Sequence, residues 1–276
     1  MLKMAKWRWL GLSAVLWMGI VHAEVYEWLD AQGRNHYSDR GHDSAQVLKI
    51  APGRSTFVVD KVYDGDTILL SDGRKVRFLG VNTPEIAGRN KLAESGGEQA
   101  KAWLKQVIEH KRVSLEFDVE KQDKYQRTLA HVFSEDKLHL NLELVKRGLA
   151  AANIFPPNLK YVDALAEAQL QAERQRLGIW ADSAYAPQAF SAIDVDDYKG
   201  WRRLLGEVKA VKTSRKYSYL KFSERFALQI PNQSLALFPI LNSYVGKRIE
   251  VRGWVGQSKQ GFMMRLRHPL DIKVLD

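Results

Sequence analysis

The chain has 276 residues, with 42 Lys+Arg against 32 Asp+Glu and a formal net charge of +10. It contains no cysteine, which excludes disulfides, thiol catalysis and cysteine zinc sites. Its length allows two compact domains of ordinary size, and its basic balance favours anionic partners.

Residues 1–23 have the pattern of a signal peptide. Basic residues come first, the apolar run 9–21 follows, and the small residue Ala23 stands before Glu24. The run is shorter than a comfortable bilayer span, which makes an uncleaved anchor the weaker alternative. We therefore expect a periplasmic or secreted protein without stable membrane insertion once the leader is removed.

Residues 24–55 follow as a small module. Apolar and polar residues alternate on both sides of Gly33, which predicts a β-hairpin. The segment resembles a short N-terminal module of many exported proteobacterial proteins, and that resemblance implies no particular chemistry.

Residues 56–182 carry the pattern of an α+β domain. Segments rich in Val, Ile, Leu and Phe, split by Asp64-Gly65 and Asp72-Gly73, predict the first strands. Apolar residues at spacings of three and four from Ala100 to Ile108 predict an amphipathic helix. The strands are expected at 56–63, 67–71, 75–81, 112–119 and 128–134, and the helices at 100–108, 141–147 and 159–177. Together they predict a five-stranded OB-fold β-barrel with three helices.

Two acidic residues in the first hairpin turn are candidate metal ligands. Hydrolysis of a phosphodiester requires fixed positive charge, a metal and a base. Asp66, with Asp64 behind it, offers the hard oxygens that Ca²⁺ or Mg²⁺ prefers. Asn82 and the carbonyl of Thr83 add two further oxygens after the third strand.

Three more charged residues complete the pattern. Arg77 and Arg127 can hold phosphate oxygens bidentately, and Glu85 is a further carboxylate that can position or deprotonate water. Each motif alone is typical of an ordinary turn or an exposed loop. Together they favour catalysis, because clustered charges are costly unless they are used or paired.

The motifs occur in an order that resembles the staphylococcal nuclease (thermonuclease) family. They are DGDT at 64–67, RFLGVNTPE at 77–85, DKYQR at 123–127, LNLELVKRGLA at 140–150 and LGIW at 177–180. The resemblance runs from about Thr56 to Trp180. It implies a calcium-dependent endonuclease and phosphodiesterase that acts on DNA and RNA.

The resemblance also implies roles for individual residues. Asp66 is similar to the family's metal aspartate, and Thr83 to the threonine whose carbonyl binds calcium. Arg77 and Arg127 look like the two phosphate-binding arginines, and Glu85 like the glutamate that orients water.

Lys124 and Tyr125 resemble residues that hold the terminal phosphate of a bound nucleotide. Asn82 departs from the family, whose motif DTPE has an aspartate at this position. A lower ligand charge weakens calcium affinity and relaxes the choice of metal, so Mg²⁺ or Mn²⁺ remain alternatives. Residues 154–157 also depart, because the family often has tyrosines there.

The C-terminal part holds most of the basic excess. Residues 183–198 are acidic and rich in small residues, which favours a linker. Residues 199–276 hold 16 Lys+Arg against 5 Asp+Glu. Strands are predicted at 206–212, 217–223, 226–231, 247–255 and 262–267, with a helix-like stretch at 235–245. We expect a second, small OB-like β-barrel.

Alternation places Leu220 and Phe222 on the inner face of this barrel and mixes aromatic with basic residues on the other. The outer set is Tyr217, Tyr219, Lys221, Arg252, Trp254, Arg265 and Arg267. Exposed rings among cations suit single-stranded nucleic acid. A basic barrel with partly buried tyrosines is the structural alternative, and anionic lipid or lipopolysaccharide is a third partner class.

The sequence thus favours an exported, metal-dependent nuclease that cuts DNA and RNA with little sequence specificity. The rival hypothesis is a noncatalytic nucleic-acid- or envelope-binding protein that has kept the barrel but lost metal affinity through Asn82. Retention of Arg77, Glu85 and Arg127 favours the enzyme, because a binding protein does not need the glutamate.

The leader gives a first prediction. The mature protein purified from its native host should begin at Glu24, because Ala23 completes the small-residue cleavage site. N-terminal sequencing measures this directly. A mature chain that begins at Met1 would contradict export by this leader.

Overall fold

The computed structural model describes residues 25–30, 32–41, 45–48, 55–88, 93–258 and 260–275. The chain divides into two compact units, Met1–Gly53 and Arg54–Asp276. The predicted leader lies outside the described residues. In the ranges that are described, no helix combines the length and apolar character that a bilayer crossing requires.

The first unit contains a small antiparallel sheet. Its strands are β1 (Val25–Leu29), β2 (Asn35–Ser38) and β3 (Gln46–Leu48). The predicted hairpin is present as β1 and β2, and β3 pairs with the other edge of β1. The turn is held by Asp30, whose carboxylate accepts the N–H groups of Gln32 and Arg34.

The second unit begins with the predicted five-stranded barrel. Its strands are β4 (Thr56–Asp64), β5 (Thr67–Leu70), β6 (Lys75–Phe78), β8 (Arg112–Glu116) and β9 (Thr128–Ser134). They close in the order β4-β5-β6-β9-β8, with β6 parallel to β9. Residues such as Ile68, Val76 and Val132 are fully buried in the core of the barrel.

Two short strands and three helices surround this barrel. They are β7 (Val81–Asn82), α1 (Gly97–Ile108), α2 (Leu140–Lys146), β10 (Ala151–Ala152) and α3 (Val162–Arg174). The predicted helix face of α1 is confirmed, because Ala100, Leu104 and Ile108 are fully buried. The pairing of β7 with β10 was not predicted, since two-residue strands carry no periodic signal.

The C-terminal β domain, referred to as the second barrel, is an eight-stranded sheet. Its strands are β11 (Gln188–Ala189), β12 (Trp201–Glu207), β13 (Ala210–Thr213), β14 (Tyr217–Lys221), β15 (Phe226–Pro231), β16 (Arg248–Ser258), β17 (Gly261–Arg265) and β18 (Ile272–Val274). β12 and β13 follow one another in the chain and act as one interrupted strand. β12 pairs with β16 and β13 pairs with β14, so this strand pairs with both ends of the sheet. With β15 parallel to β17, the pairing repeats that of the first barrel and confirms the OB-like prediction.

Three expectations for this region differ from the structure. The helix-like stretch at 235–245 forms two 3-10 turns, Asn232–Leu237 and Leu241–Tyr244. A strand expected to begin at residue 206 begins at Trp201. The predicted linker 183–198 is held by the fold: β11 pairs with β12, and the buried Tyr185 donates its hydroxyl to the carbonyl of Ser95 at 2.9 Å.

Asn141 gives a testable prediction for the barrel. Its fully buried side chain accepts the N–H of Val132 at 2.9 Å and donates to the carbonyl of Leu79 at 2.8 Å. Asn141→Ala leaves both backbone groups buried without this partner, so the free energy of unfolding should fall by about 3 kcal/mol. Urea denaturation measures the loss. The exposed Asn242→Ala should change it by less than about 0.5 kcal/mol; equal losses would contradict the assigned role.

Candidate active site

The turn between β4 and β5 brings the candidate metal residues against α1. A Cβ atom at Gly65 would lie 2.6 Å from the side chains of Ala100 and Thr83, so only glycine allows this close approach. Asp64 stabilises the turn, because its Oδ1 accepts the N–H of Asp66 at 3.0 Å. The DG sequence therefore places Asp66 beside Thr83.

The carboxylate of Asp66 is buried and fully engaged. The residue is only 5% exposed. Its Oδ2 accepts the N–H of Thr83 at 2.9 Å and lies 2.9 Å from Nη2 of Arg77. Its Oδ1 accepts the hydroxyl of Thr67 at 3.1 Å. These bonds compensate for the cost of burying the charge.

Arg77 connects this carboxylate to the end of its own strand. Its Nη1 donates to the carbonyls of Phe78 at 2.7 Å and Val81 at 3.0 Å. Its Nη2 also donates to Oδ1 of Asn82 at 3.2 Å. A carboxylate oxygen of Asp66 and the amide oxygen of Asn82 therefore converge on one cationic nitrogen.

Three residues beside Arg77 offer oxygen ligands, which suit a hard cation such as Ca²⁺. Asp66 supplies a carboxylate, Asn82 an amide oxygen, and Thr83 a carbonyl that now accepts Nδ2 of Asn82 at 3.1 Å. Burial, and then the negative charge of Asp66, raises the pKa of Asp64 to about 6. Such a pair of crowded carboxylates is stabilised by nearby positive charge.

The candidate metal ligands nevertheless carry little negative charge. Among the residues that the structure describes, no three His, Cys, Asp or Glu side chains are grouped so that they could hold a metal ion. Asn82 is the position at which the sequence predicted a lost ligand charge. The geometry is therefore that of a site with one carboxylate ligand and neutral oxygens around it.

Glu85 lies just beyond these ligands and is half-buried. Its N–H donates to Oε2 of Glu94 at 2.9 Å, and its carbonyl accepts the N–H of Glu94 at 2.8 Å. These two bonds fix the backbone that carries the Glu85 side chain.

The loop before β9 positions Arg127. Asp123 Oδ1 accepts the N–H groups of Tyr125 and Arg127, both at 2.9 Å, and its Oδ2 accepts Nε of Arg127 at 2.7 Å. Burial alone would raise the pKa of Asp123, but the bonds from Arg127 outweigh it and the pKa is lowered. Lys124 Nζ and the Arg127 guanidinium lie 4.9 Å and 5.5 Å from the centre of the Tyr125 ring.

The two arginines reach one cleft of about 620 Å³. Arg77 is in register with Leu129 across the parallel pair β6 and β9, and Arg127 precedes β9 by one residue. The predicted residues that line the cleft are Arg77, Asn82, Lys124, Tyr125, Arg127 and Trp254. Among the described residues, Asp66, Thr83 and Glu85 are outside this lining; Arg77 links Asp66 to it, and Asp66 in turn accepts the N–H of Thr83.

The outer face predicted for the second barrel divides into different environments. Arg252 is not exposed: it is 8% accessible, and its guanidinium pairs with Glu173 of α3 at 2.5 Å and 2.9 Å. Lys221 is also buried and pairs with Glu224 at 2.5 Å. Alternation failed for Arg252 because Glu173 covers its guanidinium, whereas the partner of Lys221, Glu224, is itself exposed.

The remaining basic residues contact aromatic rings. Arg265 donates to Gln229 at 2.9 Å and lies 5.5 Å from the centre of the Tyr217 ring. The Arg267 guanidinium lies 4.3 Å from the centre of the Phe155 ring. Tyr219 lines a separate cavity of about 520 Å³ within the C-terminal β domain.

Sequence reasoning missed two residues of the cleft. Phe155 and Asn158 both line it. The Asn158 side chain accepts the N–H of Glu120 at 2.8 Å and donates to the carbonyl of Glu120 at 3.0 Å, which stabilises this side of the cleft. Phe155 lies in the 154–157 segment, where the departure from the family's tyrosines was the available signal, and Asn158 follows that segment directly.

Comparison with known proteins agrees with this geometry. Residues 75–182 match the family model described as "Staphylococcal nuclease homologue", and residues 12–56 match a "Domain of unknown function (DUF4124)". The thermonuclease of Staphylococcus intermedius is 41% identical over 128 residues, which are 45% of this chain and 76% of that protein.

Two further relatives cover the same part of the chain. The thermonuclease of Staphylococcus hyicus is 37% identical over 130 residues, 46% of this chain and 76% of that protein. Endonuclease YncB of Bacillus subtilis (strain 168) is 37% identical over 132 residues, 46% of this chain and 62% of that protein. The closed barrel, the order of its motifs and these identities show that the chain belongs to the staphylococcal nuclease family.

Proposed function

We propose that this protein is an exported, metal-dependent nuclease that hydrolyses phosphodiester bonds of DNA and RNA with little sequence specificity. Family membership and the thermonuclease and endonuclease relatives support hydrolysis of nucleic acid. One observation carries the proposal: Arg77 joins the Asp66 carboxylate to a cleft that Arg127 also lines. Export rests on the leader pattern of residues 1–23.

Ca²⁺ is the ion that the proposal assigns to the site, with Mg²⁺ and Mn²⁺ as alternatives. Asp66, the amide oxygen of Asn82 and the carbonyl of Thr83 would hold it, with Asp64 behind them. When bound, the ion supplies positive charge that stabilises the phosphoryl oxygens in the transition state. The two neutral oxygens favour weak affinity.

The arginines bind and orient the phosphate. Arg77 is locked by two carbonyls, so its guanidinium adds fixed positive charge without reorganisation. Arg127 now presents its Nε and Nη2 to the Asp123 carboxylate, each at 2.7 Å. The same two-point geometry suits a phosphate, which would compete with Asp123 for this side chain.

Glu85 orients the attacking water or accepts its proton in this scheme. Lys124 and Tyr125 would contact the phosphate beyond the cleaved bond. Because these contacts are made to phosphate and not to base edges, the sequence of the strand matters little. Tyr217, Tyr219 and Arg265 remain proposed contacts of a longer single strand on the second barrel.

The function is tested by cleavage of single-stranded DNA, duplex DNA and RNA with Ca²⁺, Mg²⁺, Mn²⁺ or EDTA. We expect cutting with at least Ca²⁺ and none in EDTA. Glu85→Gln keeps the side-chain volume and removes the charge, so kcat should fall at least about a hundredfold. The exposed Glu135→Gln is the matched control and should leave kcat unchanged.

Salt-sensitive binding without cutting under any metal would overturn the nuclease. That result would favour the rival hypothesis, a noncatalytic nucleic-acid- or envelope-binding protein. Equal cleavage rates for Glu85→Gln and the wild type would show that Glu85 has no role in catalysis, without affecting the proposed metal requirement.

Arg127 allows a separate test of transition-state stabilisation. Arg127→Ala should lower kcat about a hundredfold or more and weaken substrate binding less than about fivefold, because charge develops on the phosphoryl oxygens only during reaction. Single-turnover cleavage and metal-free binding measure the two effects. Arg112→Ala, at an exposed arginine of β8, is the control; equal losses in cleavage and binding would assign Arg127 to ground-state binding only.

A further inference from the structure

Trp254 belongs to the C-terminal barrel, yet it lines the same cleft as Arg77 and Arg127. Tyr125 and Phe155 also line this cleft. The three rings are 39%, 68% and 45% exposed for Trp254, Tyr125 and Phe155 respectively. Of the tryptophans in the described ranges, Trp254 is the one that is exposed. The cleft therefore gathers large aromatic surfaces that the fold has not buried.

We infer that Trp254 forms a base-stacking subsite for an unpaired nucleotide next to the phosphate-binding arginines. The C-terminal barrel then supplies one wall of the substrate cleft and selects single-stranded nucleic acid. This inference rests on the proposed function and names the substrate form that the same site prefers.

Strand alternation explains why Trp254 faces the nuclease barrel. Trp254 lies opposite Trp201 across β12 and β16, and two residues away Arg252 lies opposite Arg203. Trp201 packs on Trp180 with ring centres 6.3 Å apart. Residues two positions apart share a face of a strand, so Trp254 continues the face that docks on the nuclease barrel.

Buried ion pairs hold this face in place. Arg252 contacts Glu173 of α3 at 2.5 Å, and Arg203 lies 3.9 Å from the same carboxylate. On the other side, Arg267 covers the ring of Phe155. The backbone of Trp254 is therefore held by β16 in the wall of the cleft, so only its side-chain rotamer has to be ordered on binding.

The chemistry of the cleft favours an unpaired base. Tryptophan presents a wide π-face, and every base offers a face of its own once it is unstacked from a duplex. In a duplex, both faces of each base are covered by neighbours. The nearby guanidinium groups can hold the phosphate of the same nucleotide while the ring stacks on its base.

The test measures binding without cleavage. A labelled short oligothymidylate and a duplex of equal length are titrated with the full chain in EDTA and followed by fluorescence anisotropy. Trp254→Ala should weaken single-strand binding about tenfold and duplex binding less than about twofold. Trp254→Phe should recover most of the affinity. Ile240→Ala truncates another exposed apolar side chain of this domain outside the cleft and should change neither.

A second measurement links the ring to a base. Wild-type protein should lose affinity for oligonucleotides in which one base is replaced by an abasic sugar, at the position that reaches the cleft. Trp254→Ala should lose no further affinity on that replacement. If Trp254→Ala fails to fold by circular dichroism, the abasic series on the wild type and Trp254→Phe still decides the question.

The outcomes separate this inference from the proposed function. Equal weakening for single strand and duplex, or no weakening at all, would overturn the stacking subsite even if the protein cuts nucleic acid. Trp254-dependent binding by a protein that cuts nothing would support the subsite and overturn the nuclease.

Discussion

A cluster of four charged residues, with Glu250 and Arg252 buried and Arg203 and Glu173 partly buried, joins the two barrels of the second unit. Arg203 pairs with Glu250 at 2.8 Å and Arg252 pairs with both Glu250 and Glu173, so positive and negative groups balance. Burial alone would raise the pKa of Glu250, but the bonds from Arg203 and the charge of Arg252 lower it. Buried charges are costly unless every partner is present, and removal of one partner commonly costs about 3–5 kcal/mol. The cluster therefore favours the arrangement in which each of these charges keeps its partner.

The two barrels share one strand topology but contribute different parts of the candidate active site. Both barrels have a parallel pair between their third and fifth strands, but only the first has the glycine turn that places Asp66 beside Thr83. The second barrel presents the strand that carries Arg252 and Trp254 to its neighbour. The second barrel, whose basic charge predicts strand binding, also contributes Trp254 to the wall of the candidate active site.

Inside the first barrel, Arg77 has a structural and a proposed chemical role at once. Its guanidinium binds two carbonyls, the Asp66 carboxylate and the Asn82 amide. A side chain held by so many partners is preorganised, which favours catalysis because no reorganisation is needed as charge develops. The same bonds make Arg77 important for the fold, so activity and stability depend on one residue. Arg127 has fewer buried partners, so a substitution there tests activity with less effect on stability.

The sequence by itself determined the local features: five barrel strands, the amphipathic face of α1, the glycine turn and the group of charged residues around Asp66, Arg77 and Arg127. These follow from periodicity, turn chemistry and motif order, which act over a few residues. Only the tertiary structure decided that Arg252 and Lys221 are buried, that Tyr185 anchors the segment 183–198 to the fold, and that Trp254 lines the same cleft as Arg77. Alternation reports which face of a strand a residue occupies, but not what covers that face. Glu173 covers Arg252 from 79 residues away, and such a contact depends on how whole elements pack.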